Sequence, residues 1–459
     1  MKSDLKPNEY YIERLCFFFT FCFFIASIVA GFYLNNMDKL FDDFIRILLH
    51  PSPLVTDYYN LGSLNAAFFN AGMCGLGVCL LMLLPNSHAT VNSLAGYFLV
   101  VAHCFYGLNF LTMWPPILGI FVFCKVFRVS FRDNLDMAMF STAFGPFVSE
   151  FIFRYHIAKF YVFEEVHVSV LGFIYMVIFC LFLGFAIPAM LPGALKLHRG
   201  YNLYNGGLAF GLLGLFIYAF MYKTMGVETY TNYKRVNKIY YAHDYSYHEF
   251  VVIFFLIVFV TLLLYGWYLN GKSFKGYGSL MKCTGHNANF FNRYGAALSF
   301  INIGVYGLMI LTYFVLVVTF TDGAGFTGAT TGVILAGITF SAKGQHPKNV
   351  WPVLLGYVVL SVFVTLISTI AGYPVPWTLS TQGYMNGAAF ATGLCPIAGR
   401  YGWKIGVAAG VMCAIMCTST SAMHGGLVLY NGGLTSGITA LILIPCLDYY
   451  FRGTLKQDE

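Results

Sequence analysis

Two stretches of the chain share one motif: residues 198–208 read HRGYNLYNGGL, and residues 424–434 read HGGLVLYNGGL. Each stretch begins with His and ends with Tyr-Asn-Gly-Gly-Leu, and another Gly follows three residues later in both, at Gly211 and Gly437. Tyr, Asn and paired Gly cannot be exchanged freely for the aliphatic residues around them, so the match is specific. The motif therefore predicts that the chain contains two copies of one structural unit.

Other shared residues follow the same order in both copies. Further sets recur with matching internal spacing: Phe68, Asn70, Gly72 and Gly75 with Phe300, Asn302, Gly304 and Gly307; Trp114-Pro115 with Trp351-Pro352; and Thr142 and Pro146 with Thr392 and Pro396. We therefore predict a first membrane repeat over residues 1–222, a connecting loop over 223–248 and a second membrane repeat over 249–459.

The composition indicates an integral membrane protein. Of the 459 residues, 58% are hydrophobic and 10% are charged, whereas soluble domains contain about 25% charged residues. Residues 16–34 and 251–269 are long and apolar enough to cross a bilayer as helices. Lipid, and not nucleic acid, is the expected surrounding despite a formal net charge of +7. The 12 cysteines form no Cys-x-x-Cys pattern, so we predict buried free thiols and neither a metal nor a cofactor.

Each half contains a series of apolar segments, which predicts an all-α polytopic membrane protein of about 14 helical segments in two inverted repeats. In the first half the segments lie near residues 15–34, 62–84, 90–107, 109–127, 134–153, 166–190 and 204–221. In the second half they lie near residues 250–269, 294–320, 326–342, 350–371, 377–398, 402–420 and 429–447. The fifth segment of each half is rich in Pro, Gly, Ser and Thr. It predicts either a broken helix pair or a re-entrant loop.

The distribution of Lys and Arg supports the inversion. The loop after the fourth segment is basic in the first half, at 125–132, whereas its counterpart at 371–377 is uncharged. The loop before the fourth segment shows the opposite bias, because 104–112 is uncharged and 343–348 is basic. An odd number of crossings in each repeat produces this exchange. We therefore predict a multi-pass protein of the cell membrane with both termini in the cytoplasm.

The Tyr-Asn-Gly-Gly motifs are the first candidates for a solute site. Asn205 and Asn431 each precede two glycines at the start of a final helix, where Asn is a favourable N-cap. The N–H groups and the positive dipole end at such a helix start can face a carbonyl, a hydroxyl or an anion. The alternative is a cap and tight turn that only lets helices approach. The candidate substrate-binding residues are Asn70, Thr142, His198, Tyr204, Asn205, Gly206, Gly207, Asn302, Thr392, His424, Tyr430, Asn431, Gly432 and Gly433.

The polar residues outside the motifs allow two interpretations each. His198 and His424 stand six residues before the motif tyrosines, where a His either orients the loop or serves as a pore-lining donor or proton relay. Asn70 and Asn302 lie inside apolar spans, where an amide needs a partner on a neighbouring helix or on a solute. Glu150 lies near the outer end of its segment and is predicted to be an interfacial carboxylate.

The scarcity of buried ionisable residues argues against a proton-relay pump and against a cation channel with acidic rings. No nucleophile with a base and no pair of carboxylates stands at a suggestive spacing, so a membrane enzyme or a scaffold ranks below a transporter or channel. We predict a small-molecule solute, neutral and urea- or amide-like, bound between the repeats. An ion-coupled transporter of a small anion or metabolite is the alternative, and homo-oligomerisation stays open.

Two resemblances accompany these motifs. The run ATGLCPIAGRYGW at residues 391–403, together with LYNGGL in both halves, resembles an uncharacterised family of bacterial multi-pass membrane proteins known as a domain of unknown function. Residues 204–208 and 430–434 are also similar to the Tyr-Asn-Gly-x-Leu motif in each inverted half of the urea transporters, and residues 70–76 resemble a segment upstream of it. The first resemblance implies no activity, and the second implies a small neutral substrate.

Overall fold

The fold is that of a computed structural model, which describes residues 7–54, 56–85, 87–162, 165–229 and 246–451. Within these ranges the chain consists of helices joined by turns and contains no β-strand. The predicted all-α class is therefore confirmed. Both chain ends lie outside the described residues, and so does the predicted cytoplasmic location of the termini. Residues 230–245 of the predicted connecting loop also lie outside them.

The same succession of long, short and broken helices occurs twice. The first half contains α1 (Pro7–Tyr33), α2 (Leu40–Leu48), α3 (Tyr58–Leu61), α4 (Leu64–Met82), α5 (Val91–His103), α6 (Trp114–Phe127), α7 (Leu135–Ser141), α8 (Gly145–Phe153), α9 (Val170–His198) and α10 (Asn205–Tyr218). The second half contains α11 (Ser246–Leu269), α12 (Tyr277–Leu280), α13 (Phe290–Phe320), α14 (Gly328–Gly337), α15 (Pro347–Ala371), α16 (Gln382–Ala391), α17 (Cys395–Tyr401), α18 (Trp403–Met423) and α19 (Asn431–Tyr450).

The membrane spans follow from helix length and composition. In the described part of the chain, nine helices are long and apolar enough to cross a bilayer: α1, α4, α9, α10 with its π-helical extension Ala219–Thr224, α11, α13, α15, α18 and α19. Their outward faces expose large apolar side chains such as Phe21, Phe173, Ile257 and Ile370, which lipid can cover. The chain is therefore a multi-pass membrane protein.

The third segment of each half is shorter than the sequence predicts. α5 has 13 residues and α14 has 10, so α5 extends only about 20 Å against a hydrocarbon core of about 30 Å. Buried turns that contain Cys104 and Ser341 follow the two helices. Hydropathy does not separate these turns from a span, because irregular backbone is tolerated at membrane depth when protein surrounds it.

The fifth segment is a broken helix in both halves, as one of the two predicted alternatives states. A 3₁₀ helix over Thr142–Phe144 separates α7 from α8, and Thr392–Leu394 separates α16 from α17. Pro146 and Pro396 stand in the first turn of the helices that follow, where the missing N–H breaks no bond. The shared prolines thus mark a new helix start at the same place in each repeat.

The equivalent helices α5 and α14 run antiparallel. The start of α14 meets the end of α5, because a Cβ on Gly328 would lie 2.4 Å from the carbonyl oxygen of Phe105. At the opposite end, Lys343 Nζ, just beyond α14, donates to Asn92 Oδ1 in the first turn of α5 at 2.6 Å. Repeats related by rotation about the membrane normal would keep equivalent helices parallel. The antiparallel pair is the relation expected of inverted repeats.

The final helices of the two repeats, α10 and α19, cross at the Tyr-Asn-Gly-Gly motifs. A Cβ on Gly207 would lie 2.3 Å from Gly433 Cα, and a Cβ on Gly433 would lie 2.8 Å from Gly207 Cα. Two contacts beside them are reciprocal: Gly211 with Leu434, and Gly437 with Leu208. The second glycine of each motif therefore allows backbone contact at the centre of the pseudo-symmetric pair.

Candidate functional site

The motif tyrosines, and not the asparagines, occupy the N-cap positions. Tyr204 precedes α10 and Tyr430 precedes α19, and neither side chain makes a capping hydrogen bond. Asn205 and Asn431 are the first helical residues. The expectation of an Asn cap is therefore wrong. The Asn431 side chain instead contacts His424 Nε2 through Oδ1 at 3.0 Å and donates from Nδ2 to the carbonyl of Cys417 at 3.5 Å. Both helix starts consequently present N–H groups without a side-chain cap.

A cavity of about 270 Å³ opens beside the first motif. Its apolar wall comes mainly from α5, α7 and α9, together with Phe340. Residues with polar side chains in the lining come from both repeats: Asn92, Asp136, Tyr204, Asn205, Lys343 and Tyr430. Gly206 and Gly207 complete the motif side of the wall. The cavity thus brings together Tyr204, Asn205, Gly206, Gly207 and Tyr430, all of which are predicted site residues.

Two polar groups of the motifs have no partner in this cavity. The Tyr430 side chain is 1% exposed; its hydroxyl faces Thr142 but forms no hydrogen bond of normal geometry with any described residue. The Asn205 Oδ1 atom is likewise buried and without a partner in the described part of the chain. Tyr204 differs, because its hydroxyl donates to the carbonyl of Ala336 at 2.5 Å. Buried polar atoms without partners are costly, so these two atoms are suited to bind a solute or water.

A charged pair stands on the wall of the cavity opposite this motif edge. Lys343 Nζ donates to Asn92 Oδ1 at 2.6 Å. Burial raises the pKa of the neighbouring Asp136 carboxyl, and the Asn92 side chain opposes that shift. Burial lowers the pKa of the Lys343 ammonium, and the negative charge of Asp136 opposes that shift. Asp136 and Asn92 belong to the first repeat and Lys343 to the second. The Lys343–Asn92 bond therefore links the two repeats at the cavity wall.

The second copy of the motif is packed differently from the first. His424 Nε2 and Asn431 Oδ1 lie 3.0 Å apart, and both side chains are buried. Gly432 and Gly433 pack against Phe390 and Gly207 respectively. Residues 431–433 do not line this cavity. Here the orienting role predicted for His424 fits the geometry.

His198, the counterpart of His424, has a different environment. Its side chain is fully buried at the end of α9, and neither ring nitrogen bonds a described residue. His198 does not line the cavity. The structure therefore separates it from the five motif residues gathered there.

Asn70 and Asn302 perform the same task in the two halves. Asn70 Nδ2 donates to the carbonyls of Cys104 at 2.8 Å and Leu108 at 3.0 Å. Asn302 Nδ2 donates to the carbonyls of Ser341 at 2.7 Å and Gln345 at 2.8 Å. The acceptors are the equivalent turns that follow α5 and α14. The two amides thus supply hydrogen bonds to backbone carbonyls where the chain leaves a helix inside the protein. Of the two predicted partners for these amides, a neighbouring part of the protein or a solute, the structure shows the first.

Thr142 and Thr392 lie at the breaks of the fifth segments. Thr142 Oγ1 donates to the carbonyl of Met139 at 2.7 Å, and Thr392 Oγ1 donates to that of Ala389 at 2.6 Å. Thr392 also accepts from Gln345 Nε2 at 2.7 Å. Both hydroxyls therefore stabilise the 3₁₀ turn, and neither threonine lines the cavity.

Glu150 is buried in the protein and ion-paired, and its predicted location at the membrane interface stays a prediction. Its side chain is fully buried, and Arg154 Nη2 approaches Glu150 Oε1 at 2.7 Å. The Tyr222 hydroxyl also donates to Glu150, and Arg154 bonds the carbonyl of Glu228. The helical spacing of four residues places Arg154 beside Glu150.

Sequence reasoning missed the Asp136, Asn92 and Lys343 group. Lys343 was counted among the loop charges, and Asp136 falls at the start of a segment with other charges just before it. The available signal is the contrast between halves. Asp136 lies six residues before Thr142, and Asn386 lies six residues before Thr392, so the two positions correspond. A charged residue that occurs in only one of the two repeats is a candidate for a site-specific role.

The comparisons with known proteins agree with the predicted family resemblance. No curated protein and no solved structure matches this chain. The model of one family, described as "Protein of unknown function (DUF1576)", matches residues 36–223 and 269–449, which correspond to the two halves. The similarity to urea transporters stays a prediction. Since the matched residues make up most of the sequence, the chain belongs to the DUF1576 family of proteins of unknown function.

Proposed function

We propose that this protein is a membrane transporter or channel for a small polar solute, and that the cavity beside the first motif is its solute site. The observation that supports this most strongly is that each repeat contributes to the cavity lining one residue with a buried polar atom that no described residue bonds in normal geometry. Asn205 and Tyr430 both line the cavity, and the Asn205 Oδ1 atom and the Tyr430 hydroxyl are buried atoms of this kind. Together they offer an acceptor and a hydroxyl that can donate or accept.

The setting of the cavity fits transport better than catalysis. Two helix starts, those of α10 and α19, meet at the crossing of Gly207 and Gly433. Transporter sites are commonly formed where such helix ends meet between inverted repeats. Within the described residues, no three His, Cys, Asp or Glu side chains are grouped as a metal site would require. An enzyme or scaffold explains neither the paired helix starts nor the unpaired atoms.

A neutral, urea- or amide-like solute is the preferred substrate. The formal charges of Asp136 and Lys343 cancel, and the remaining lining offers hydrogen bonds without net charge. The alternative is a small anion or metabolite moved with a coupling ion, which the positive helix end of α10 favours. By the charge rule, the cavity faces the cytoplasm, because Lys343 belongs to a loop with an inner-side bias. The cell membrane is the proposed location.

Uptake into proteoliposomes tests this function. Urea, formamide, glycerol and formate form the solute panel, each measured with and without sodium and proton gradients. Asn205→Ala and Tyr430→Phe should slow the transported solute by about ten-fold or more, the equivalent of about 1.4 kcal/mol. Asn431→Ala is the matched control, because the same motif position does not line the cavity in the second half.

Three outcomes would count against the proposal. Folded wild-type protein that moves none of the panel contradicts it, and so do unchanged rates in Asn205→Ala and Tyr430→Phe. A protein that instead modifies a lipid supports the enzyme alternative. A requirement for a gradient supports the ion-coupled alternative over facilitated diffusion.

A further inference from the structure

Asp136 and Lys343 are neighbouring opposite charges on the cavity wall, where each affects the pKa of the other. Both residues line the solute cavity, and both are only partly exposed. Asn92 stands between them and bonds Lys343 at 2.6 Å. Because the two charged residues come from different repeats, each half of the protein contributes one sign of charge to a single wall.

Burial raises the pKa of Asp136 and lowers that of Lys343, and the surrounding contacts partly offset these shifts. The N–H of Met137 donates to Asp136 Oδ1 at 2.8 Å, and both this bond and the nearby Asn92 side chain favour the ionised carboxylate. Lys343 lies over the Phe340 ring, with its Nζ 5.9 Å from the ring centroid, where a cation is attracted by the ring. Inside a cavity of low polarity, either charge alone would interact strongly with a charged solute.

We propose that Asp136 and Lys343 together determine the charge selectivity of the cavity, so that the solute it accepts is electroneutral and offers both hydrogen-bond donors and acceptors. This inference rests on the proposed function and names its substrate class more closely. A neutral amide-like molecule leaves the pair balanced. An anion is repelled by Asp136 and a cation by Lys343, and neither finds a compensating excess charge on the wall.

The proposal predicts that selectivity depends on the sum of the two charges. Asp136→Asn leaves a net positive wall and should raise the formate-to-formamide uptake ratio by about ten-fold or more. Lys343→Gln leaves a net negative wall and should raise the methylammonium-to-formamide ratio similarly. The double variant restores neutrality and should return both ratios to within about two-fold of wild type, although each substituted side chain is still absent.

The matched control removes one acidic charge elsewhere. Asp448 forms an exposed ion pair with Arg199 and does not line the cavity. Asp448→Asn changes the net charge of the protein as Asp136→Asn does, so it should leave both ratios unchanged. A ratio that moves equally in both variants would contradict a local effect of the cavity wall.

Failure of this inference can be told from failure of the proposed function. If wild-type protein takes up formamide but folded Asp136→Asn still rejects formate, transport stands and the charge-selectivity proposal is overturned. If the wild type moves no probe, thermal unfolding of the detergent-purified proteins in formate decides. Stabilisation of Asp136→Asn but not of wild type or Asp448→Asn supports the selectivity of the cavity, and equal responses overturn it.

Discussion

The first and second copies of the repeat place the same motif in different surroundings. At equivalent positions, the first-half residue is partly exposed and the second-half residue is buried: Asp136 with Asn386, Phe140 with Phe390, Asn205 with Asn431, and Gly206 with Gly432. The first Tyr-Asn-Gly-Gly therefore borders a cavity, while residues 431–433 are enclosed by protein. Duplicated sequence thus preserves a backbone arrangement without preserving what each copy contacts.

The two repeats share a set of structural residues, here called the frame, and differ in the side chains around it. The frame consists of the Asn amides that hold the turns after α5 and α14, the paired glycines and the broken fifth segments. The carbonyls that bond the Asn amides align the two turns with each other. In this alignment the side chains differ at four pairs of positions: His103 with Phe340, Cys104 with Ser341, Tyr106 with Lys343, and Leu108 with Gln345. The comparison indicates that the frame determines the fold and that the substituted positions determine the chemistry.

If this division is right, loss of the frame amides has the largest effect and the same effect in both halves. Asn70→Ala and Asn302→Ala each leave two buried carbonyls without their donor. Each unsatisfied group costs about 1–3 kcal/mol, so each variant should lose about 2–6 kcal/mol of unfolding free energy. Thermal unfolding in detergent, or loss of folded protein on expression, measures this.

Asn134→Ala is the control for the frame amides, because Asn134 Nδ2 bonds the Ser130 carbonyl at an exposed site. It should cost less than about 1 kcal/mol. Wild-type stability in Asn70→Ala together with a large loss in Asn302→Ala would break the equivalence of the halves.

The frame glycines provide the next largest effect. In Gly207→Ala and Gly433→Ala the new methyl group would lie within 2.8 Å of the opposing glycine backbone. Overpacking of this kind costs about 1–3 kcal/mol, and both variants should lower the unfolding temperature alike. Gly193→Ala in α9 is the matched control, because a Cβ there meets nothing within 4 Å. That variant should be neutral or stabilising by up to about 1 kcal/mol.

Much of this frame could be predicted from the sequence. The motif repetition, the Pro-marked breaks and the Lys and Arg distribution predict the duplication, the broken helices and the antiparallel relation. The short third segments could not be predicted, since their apolar turns have the hydropathy of a span. The contrast with Asn386 marks Asp136 in the sequence, but the approach of Lys343 to Asn92 and Asp136 could not be predicted, because the Lys343–Asn92 bond joins residues more than 200 positions apart.

The two halves also differ at Asp57, whose counterpart in the second half is Asn289. The segment Asp57-Tyr58-Tyr59-Asn60 has Asn289-Phe290-Phe291-Asn292 as its counterpart, and the chain then turns at Gly62 and at Gly295, whose φ is +82°. Asp57 Oδ1 accepts from the N–H groups of Tyr59 at 3.0 Å and Gly328 at 2.8 Å. Its Oδ2 is buried and has no partner among the described residues. Burial raises the pKa of this carboxyl from 3.8 to about 7, against the effect of the two N–H bonds.

The sign of the resulting pH dependence follows from proton binding. Between about pH 4 and 7 the folded protein holds the Asp57 proton and the unfolded chain does not, so unfolding releases a proton and stability falls as pH rises. The slope reaches about 1.4 kcal/mol per pH unit. Asp57→Asn, which gives the first half the amide of the second, should remove this component. Unfolding temperatures of both proteins from pH 5 to 8 measure it, and parallel curves would contradict the assignment.

The smallest expected effect concerns the histidines that precede the two motifs. His424→Phe keeps a ring but removes the partner of the buried Asn431 Oδ1, 3.0 Å away, and should cost about 1–3 kcal/mol. His198→Phe replaces a buried ring whose nitrogens bond no described residue, so it removes no hydrogen bond and should cost less than His424→Phe. Chemical unfolding of both variants gives the difference. Equal losses of unfolding free energy in the two variants would mean that His198 also stabilises the motif that follows it. The difference between the enclosed and the cavity-lining copy would then not extend to the histidines.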